Sequence, residues 1–181
     1  MKCWHHIMER RVASDSIYSG KLIKVRLDTV ETQSGRHPNR EIAEHPGAVA
    51  VLPVTNNGTL LLIEHFRYPV GKVLLEIPAG VREPGERAID TARRELEEET
   101  GYEPSTLVEL CRFFTSPGWN TEEIVLFRAE LGNRSGHGLD HDEILDVIEI
   151  ERGRIPVLMR DGLIADAKTM IALHIEWANA Q

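Results

Sequence analysis

Residues 80–102 read GVREPGERAIDTARRELEEETGY and are the most informative segment of the chain. Its second half carries one apolar stripe with helical spacing, made of Ala88, Ile89, Ala92 and Leu96. This spacing predicts a helix from about Glu86 to Thr100. Gly101 follows as a natural C-cap, because glycine readily adopts the left-handed conformation that commonly ends a helix. The glycine-rich entry, residues 80–85, is expected to bring backbone close to any site on this helix.

The acidic side chains of this helix do not all point to solvent. On a wheel of about 100° per residue, Glu99 falls inside the apolar stripe and Glu95 on its edge, whereas Glu97 points away. A carboxylate on an apolar face is costly unless it is paired or bound to a metal, and two carboxylates four residues apart repel each other. A shared divalent cation resolves both problems, and oxygen ligands favour Mg²⁺ or Mn²⁺ over zinc. The alternative is a solvated glutamate-rich helix with arginine partners.

The same segment resembles the signature of the Nudix hydrolases, G-x5-E-x7-R-E-U-x-E-E-x-G-U, in which U is a bulky apolar residue. Leu96 fills the first U position, and Tyr102 fills the last with an aromatic side chain. The resemblance implies an α/β fold of the Nudix type, a mixed β-sheet sandwiched between helices. It also implies hydrolysis of the pyrophosphate in a nucleoside diphosphate linked to another group. The fixed positions are met by Gly80, Glu86, Arg94, Glu95, Glu98, Glu99 and Gly101.

Further patches of sequence are similar to one branch of that family, the ADP-ribose and nucleoside diphosphate sugar pyrophosphatases. These patches are EIPAG at residues 76–80, FRYPV at 66–70 and GLIADAKTMIALHI at 162–175. In that branch a proline lies fifteen residues past the signature, which corresponds to Pro117. The resemblance therefore implies Mg²⁺-dependent hydrolysis of ADP-ribose to AMP and ribose 5-phosphate, or of a related nucleoside diphosphate sugar.

Three other functions stay open. Another nucleotide sugar, such as GDP-mannose, is an alternative substrate, because no feature of the sequence identifies which nucleotide base is bound. A silent ADP-ribose sensor is a second alternative, although such modules typically lose signature glutamates. A nucleic-acid decapping or regulatory protein is the third, and it conflicts with the acidic composition and the lack of a basic patch.

The resemblance implies a set of metal ligands. Glu95 and Glu99 correspond to the principal ligands, and the backbone carbonyl of Ala79 corresponds to a third. Glu98 corresponds to a further ligand, bound directly or through water, and takes part in catalysis. Arg94 is expected to hold these carboxylates rather than to touch the substrate. Mg²⁺ is the expected ion, with Mn²⁺ as a possible substitute.

The resemblance also implies substrate contacts. Arg67 corresponds to a residue that contacts the diphosphate or the terminal ribose. Arg40 corresponds to a nucleotide-side contact that the N-terminal extension supplies. The predicted substrate-binding set as a whole is Arg40, Arg67, Glu76, Gly80 and Pro117.

The catalytic base is expected on a different segment. Hydrolysis needs a group that deprotonates or orients water, and the signature glutamates are committed to metal. In this branch an acidic pair on a mobile loop supplies the base or an extra metal ligand, and the matching stretch is DHDE at residues 140–143. Glu143 is the first choice and Asp142 the second, because His141 stands where the first acid is usual. A hydrophilic acidic loop without a catalytic role is the alternative.

The remaining sequence predicts six strands, two further helices and two domains. Asn57 and Gly58 lie between two apolar runs and indicate a hairpin. Residues 132–143 are predicted to be a loop, and His174 to pack in the core, on a helical stripe. Residues 1–46 are predicted to form an antiparallel β extension that takes part in dimerisation and the nucleotide site, and residues 47–181 the Nudix domain. The predicted strands are 21–31, 49–54, 60–66, 105–114, 124–130 and 144–150, and the predicted helices are 152–160 and 165–178.

Composition limits the partners. The chain has 29 acidic and 21 basic residues, a formal net charge of -8, which argues against binding nucleic acid through bulk charge. No apolar run approaches the roughly 18–20 residues of a membrane span, so no membrane partner is expected. The N-terminus is too polar for a signal peptide, and Cys3 and Cys111 form no disulfide framework. We therefore expect a cytoplasmic protein, and the resemblance implies a homodimer.

The negative charge is concentrated in two segments. Residues 80–102 hold seven acidic residues and four arginines, and residues 139–151 hold six acidic residues with no lysine or arginine. These two segments together carry more negative charge than the whole chain. They are the segments for which cation binding is predicted, so the acidity argues only against phosphate partners that come without a metal.

Overall fold

The computed structural model describes residues 8–135 and 144–178. It divides into two compact units, which are described separately below. The first contains residues up to Gly47 together with Phe114–Glu122, and the second contains Ala48–Phe113 and the residues from Glu123 onward. No helix in the described part of the chain is long and apolar enough to cross a membrane.

The first unit is built on a three-stranded antiparallel sheet. Its strands are β1 (Arg10–Ser19), β2 (Lys24–Glu31) and β3 (Asn39–Glu44), with β2 in the centre. The antiparallel extension predicted from sequence is therefore present. Strand β1 was not predicted, because every one of its residues is exposed and no buried face imposes alternation on its sequence.

The later segment of the first unit binds the end of the sheet through its backbone. The amide of Ala43 donates to the carbonyl of Trp119 at 2.8 Å, and the amide of Thr121 donates to the carbonyl of Ala43 at 3.0 Å. Pro117 lies in the turn within this segment.

The second unit is built on a seven-stranded mixed sheet. Its strands in chain order are β4 (Ala48–Val54), β5 (Leu60–Arg67), β6 (Lys72–Glu76), β7 (Ala79–Val81), β8 (Tyr102–Phe114), β9 (Glu123–Arg134) and β10 (Ile144–Ile150). The strand order is β10-β5-β4-β9-β8, and β6 also pairs with β5 and β7 with β4. Strand β4 pairs in parallel with β9 and antiparallel with β5 and β7.

Helices cover both faces of this sheet. They are α1 (Ala88–Thr100), α2 (Ile155–Arg160) and α3 (Ala167–Ala178). All seven residues of β4 are buried, and alternate residues point to opposite faces of the sheet. Val49 and Val51 belong to the core cluster that contains Leu96 of α1, whereas Leu52 belongs to the cluster that contains Leu173 of α3. The predicted fold class, a mixed sheet sandwiched between helices, is confirmed.

The predicted hairpin is confirmed. Strand β4 ends at Val54 and β5 begins at Leu60. Gly58 has a φ of 80°, and its amide donates to the carbonyl of Thr55 at 2.9 Å. Asn-Gly at this point permits the positive φ that reverses the chain.

Three local predictions were wrong. The helical wheel places Ile89 in the apolar stripe, but this residue lies in the first turn of α1 and is 39% exposed. A helical wheel does not show where along its axis a helix leaves the core. His174 is exposed, since α3 buries Thr169, Ala172 and Leu173 at i, i+3 and i+4 instead.

The third wrong prediction concerns the start of the expected loop. Strand β9 continues to Arg134, so residues 132–134 are strand. A side chain at Gly132 would come within 3.0 Å of the Glu103 carbonyl oxygen, so this glycine marks close approach of backbone rather than a loop. Glu143 and Asp142 lie outside the described residues.

Candidate active site

Glu95, Glu98 and Glu99 form the carboxylate cluster of α1, and Glu99 is its buried member. It lies in the last turn of α1 and is 9% exposed, as the helical wheel predicted. Its Oε2 accepts a hydrogen bond of 2.8 Å from the backbone amide of Ala79. Burial raises the pKa of Glu99 to about 8, and the nearby charge of Glu95 adds to the rise. A neutral carboxyl is therefore favoured at this position unless a cation faces it.

Glu95 lies one turn earlier on the same face, and its side chain is 13% exposed. Burial raises its pKa, and Arg94 opposes the rise. The negative charges of Glu98 and Glu86 add further to it. The two carboxylates that the helical wheel places on or beside the apolar stripe thus both lie in surroundings that disfavour a bare negative charge.

Gly80 makes room for the Glu95 carboxylate. A Cβ atom at this position would lie 1.9 Å from the Cδ of Glu95 and 2.0 and 2.2 Å from its two oxygens. The backbone of β7 therefore approaches the carboxylate more closely than any other residue would permit. This contact explains in steric terms why the signature begins with glycine.

Arg94 binds three carboxylates of the signature, those of Glu86, Glu95 and Glu98. Its Nη1 donates to Glu95 at 2.8 Å and to Glu98 at 3.0 Å. Its Nε and Nη2 donate to Glu86, each at 3.3 Å. These bonds raise the pKa of Arg94 against the effect of burial, and the bond from Arg94 is the largest cause that lowers the pKa of Glu86. Arg94 contacts carboxylates, as the sequence indicated.

The donor set of this cluster fits a hard divalent cation. It consists of carboxylate oxygens, with backbone of Ala79 and Gly80 alongside, and it contains no nitrogen or sulfur ligand. Glu95 and Glu98 are turned toward Arg94. Accordingly, no three acidic, histidine or cysteine side chains converge as a ready metal site within residues 8–135 and 144–178.

A second ionic group, which sequence reasoning missed, surrounds Glu76. Glu76 is 1% exposed and accepts hydrogen bonds from Arg67 Nε at 3.0 and 3.2 Å and from Arg67 Nη2 at 2.7 Å. Lys168 Nζ also bonds Glu76 and donates to Asp166 at 2.9 Å. Burial alone would raise the pKa of Glu76, but the bonds from Arg67 and Lys168 hold it at about 2.

One sequence signal pointed to this group. Glu76 follows two leucines and precedes an isoleucine, so a charged residue stands in an apolar run and requires a buried partner. The run does not identify the partner, because Lys168 lies 92 residues away in the sequence. The structure therefore assigns Glu76 and Arg67, both predicted to bind substrate, to one ion-paired group.

Of the other predicted substrate residues, Gly80 lies in β7 as described above, whereas Arg40 and Pro117 lie in the first unit. Arg40 pairs with Glu9, with bonds of 3.0 Å from Nε and 2.5 Å from Nη2. It lines a cavity of about 580 Å³ together with Arg36 and His37. Pro117 lies in the turn described above.

Comparison with known proteins decides the family. Residues 44–162 match the family model described as the NUDIX domain, which is more than half of the chain. The chain belongs to the Nudix family. It is a Nudix hydrolase, and enzymes of this family generally use a divalent metal ion.

Two curated relatives of this Nudix hydrolase are equally similar to it. The ADP-ribose pyrophosphatase of Bacillus subtilis (strain 168) is 41% identical over 168 residues, covering 92% of this chain and 91% of that protein. The methanol dehydrogenase activator of Bacillus methanolicus shows the same identity over the same coverage. A crystal structure of an ADP compounds hydrolase matches with a TM-score of 0.82 at 23% identity, over 100% of this chain and 98% of that one, and supports the fold.

Proposed function

We propose that this Nudix hydrolase cleaves the pyrophosphate bond of ADP-ribose and releases AMP and ribose 5-phosphate. The carboxylate cluster of α1 carries the proposal, because every fixed residue of the signature is present and Gly80 leaves the space that Glu95 occupies. The similarity to an ADP-ribose pyrophosphatase along nearly the whole chain supports the choice of substrate.

Mg²⁺ is the proposed metal, with Mn²⁺ as a substitute. Glu95 and Glu99 would hold it, together with Glu98 and the backbone carbonyl of Ala79. When bound, such an ion would neutralise charge that develops on the diphosphate and would acidify a water molecule. Oxygen-only donors support a hard cation over zinc.

The chain's own residues bind and orient the substrate in this proposal. Arg67 contacts the diphosphate or the terminal ribose, because a guanidinium edge matches a phosphate in shape and charge. Glu76 belongs to the substrate set as the buried partner that holds Arg67. Arg40 contacts the nucleotide, with Pro117 as a further member of the substrate set. Glu143 removes or orients the proton of the attacking water, with Asp142 as second choice.

The assembly and location of the protein are part of the proposal. Residues 1–46 are proposed to form a dimerisation extension of the Nudix domain at residues 47–181, and the enzyme is proposed to be a cytoplasmic homodimer. The resemblance to the ADP-ribose branch supports the dimer. Gel filtration with light scattering tests it, and a monomer at micromolar concentration would contradict it.

A product-resolved substrate panel tests the activity. The panel contains ADP-ribose, GDP-mannose, UDP-sugars, NADH and diadenosine polyphosphates, each with Mg²⁺ and with Mn²⁺. It extends beyond ADP-ribose because the two equally similar relatives carry different names. We expect the highest kcat/KM for ADP-ribose, with AMP and ribose 5-phosphate as products. Failure to hydrolyse any nucleoside diphosphate sugar would overturn the proposal.

A further inference from the structure

Residues 75–79 bond three separate parts of the chain through alternate backbone amides: the turn between α2 and α3, helix α3 itself, and helix α1. The amide of Leu75 donates to the carbonyl of Leu163 at 2.8 Å. The amide of Ile77 donates to Thr169 Oγ1 at 3.0 Å, and that of Ala79 donates to Glu99 Oε2 at 2.8 Å. This segment therefore connects the start of α3 with the carboxylate cluster of α1.

The first turn of α3 holds the segment through two adjacent residues. Thr169 is fully buried and accepts the bond from Ile77, while Lys168 reaches the buried carboxylate of Glu76. Asp166 accepts from Lys168 Nζ at 2.9 Å and from the amide of Thr169 at 3.2 Å, so it caps α3 and fixes Lys168 at once.

Glu76 in turn fixes one edge of Arg67. Its carboxylate engages Nε and Nη2 of the guanidinium in a two-point contact. None of the described residues accepts a hydrogen bond from Nη1, so this edge of the guanidinium is open to a ligand. The direction of that edge depends on the orientation of Glu76. Lys168 holds this carboxylate through Oε2, the same oxygen that accepts from Arg67 Nη2.

We propose that Lys168 is a positioning residue that holds Glu76, so that Arg67 presents its Nη1 edge to the diphosphate of the substrate. This inference rests on the proposed function, because a diphosphate substrate is what the Arg67 edge would bind. Without the ammonium, Arg67 becomes the main counter-ion of a buried carboxylate and is drawn onto it. Substrate affinity then falls, whereas the chemistry at the α1 cluster is retained.

Lys168→Met and Lys168→Arg separate charge from packing, because methionine keeps the length of the side chain without the ammonium. We expect Lys168→Met to raise the KM for ADP-ribose about tenfold, as for loss of one charge-assisted hydrogen bond, with kcat within about twofold. Lys168→Arg should restore most of the affinity. An unchanged KM in Lys168→Met would overturn the proposal.

Arg152→Met is a matched control. Arg152 donates to Glu176 at 2.7 Å, so this change also removes a cationic partner from a glutamate of α3. Glu176 lies eight residues beyond Lys168, about 12 Å along the helix. We expect Arg152→Met to lower the melting temperature without raising KM. An equal rise in KM would indicate general loosening of α3 and would overturn the specific role of Lys168.

A double mutant tests whether Lys168 acts through Arg67. In an Arg67→Met background, Lys168→Met should cause no further rise in KM, because the positioned group is already absent. If the two substitutions raise KM by factors that multiply in the double mutant, Lys168 does not act through Arg67 and the proposal is overturned. If the wild-type enzyme hydrolyses no nucleoside diphosphate sugar, the proposed function fails instead, and that outcome is visible before any variant is made.

A measurement on Arg67 itself needs no substrate. The ¹⁵N–¹H resonance of Arg67 Nε reports its bond to Glu76 in the free protein. We expect this resonance to shift in Lys168→Met, to return toward its wild-type position in Lys168→Arg and to stay in place in Arg152→Met. An Arg67 resonance that is unchanged in Lys168→Met would overturn the positioning role, whatever the substrate is.

Discussion

At the scale of the residue, the site depends on how closely backbone and carboxylate approach each other. The space that a Cβ at Gly80 would take is already occupied by the Glu95 side chain. The atoms in conflict are the end of a flexible side chain, so Glu95 can move away at little cost in folding free energy. The consequence of filling that space is therefore functional rather than structural.

Gly80→Ala should reduce kcat for ADP-ribose by roughly 10- to 100-fold, because the Glu95 carboxylate must leave its position. The melting temperature should change by less than about 3 °C, since a flexible side chain absorbs the clash. Gly153→Ala is the matched control, because a Cβ there meets no atom within 4 Å. Activity of Gly80→Ala equal to that of Gly153→Ala would refute the steric role of Gly80.

The sequence predicted residues whose position follows from local periodicity. Glu99 is buried and Glu95 lies beside it, because both positions depend only on the turn of one helix. The group formed by Arg67, Glu76 and Lys168 was not predictable in the same way. Its members come from β5, β6 and α3, and only the folded sheet brings them together.

At the scale of the element, α1 is a helix whose end is fixed by glycine. Gly101 has a φ of 73°, and its amide donates to the carbonyl of Glu97 at 2.8 Å. Glu99 and Thr100 lie in the turn that this cap closes, so the cap also stabilises part of the carboxylate cluster. The sequence predicted this end correctly, because glycine after an apolar stripe has a local physical reason.

Gly101→Ala should lower the free energy of unfolding by about 1 kcal/mol, because alanine pays a steric cost in the left-handed conformation. Gly101→Asn should lose less, since asparagine tolerates that conformation better. Urea unfolding followed by circular dichroism measures both changes. Equal stability of the alanine variant and the wild type would contradict the assigned cap.

Elements without a local signal were missed. Strand β1 is exposed along its whole length and β7 has only three residues, so neither imposes a long alternating pattern on the sequence. Strand β9 runs through Gly132, a residue that sequence reasoning associates with loops. Pairing with neighbouring strands, rather than propensity, sets these boundaries.

At the scale of the molecule, a buried ion-paired group links strand β6 to helix α3 of the second unit. The pKa of Glu76 is about 2 in the folded protein and about 4.5 in an unfolded chain, so the carboxylate binds its proton more weakly when folded. Its contribution to stability is therefore complete above about pH 4.5 and is lost as the pH falls toward 2.

The stability of the wild-type protein should fall between pH 5 and pH 2, and Glu76 should account for on the order of 3 kcal/mol of that fall. Glu76→Gln removes the titrating group, so its stability should depend less steeply on pH over the same range. Urea unfolding at constant ionic strength gives both curves. Parallel curves would show that Glu76 is not a low-pKa carboxylate in the folded state.

The fold class and the family were also predictable at this scale, because one segment of 23 residues matches the Nudix signature at every fixed position. The inclusion of Phe114–Glu122 in the first unit was not, since it depends on backbone bonds between Ala43 and residues more than 70 positions later.

The carboxylates of α1 are proposed to hold the divalent cation used for pyrophosphate hydrolysis. Glu99→Gln is the decisive variant, because glutamine keeps the size of the buried side chain and removes its charge. The measurement is the release of AMP from ADP-ribose as Mg²⁺ is titrated, in the wild type and in this variant. We predict Mg²⁺-dependent turnover in the wild type and a loss of at least about 100-fold in Glu99→Gln at saturating Mg²⁺. Turnover of Glu99→Gln equal to that of the wild type would show that these carboxylates do not hold the catalytic cation.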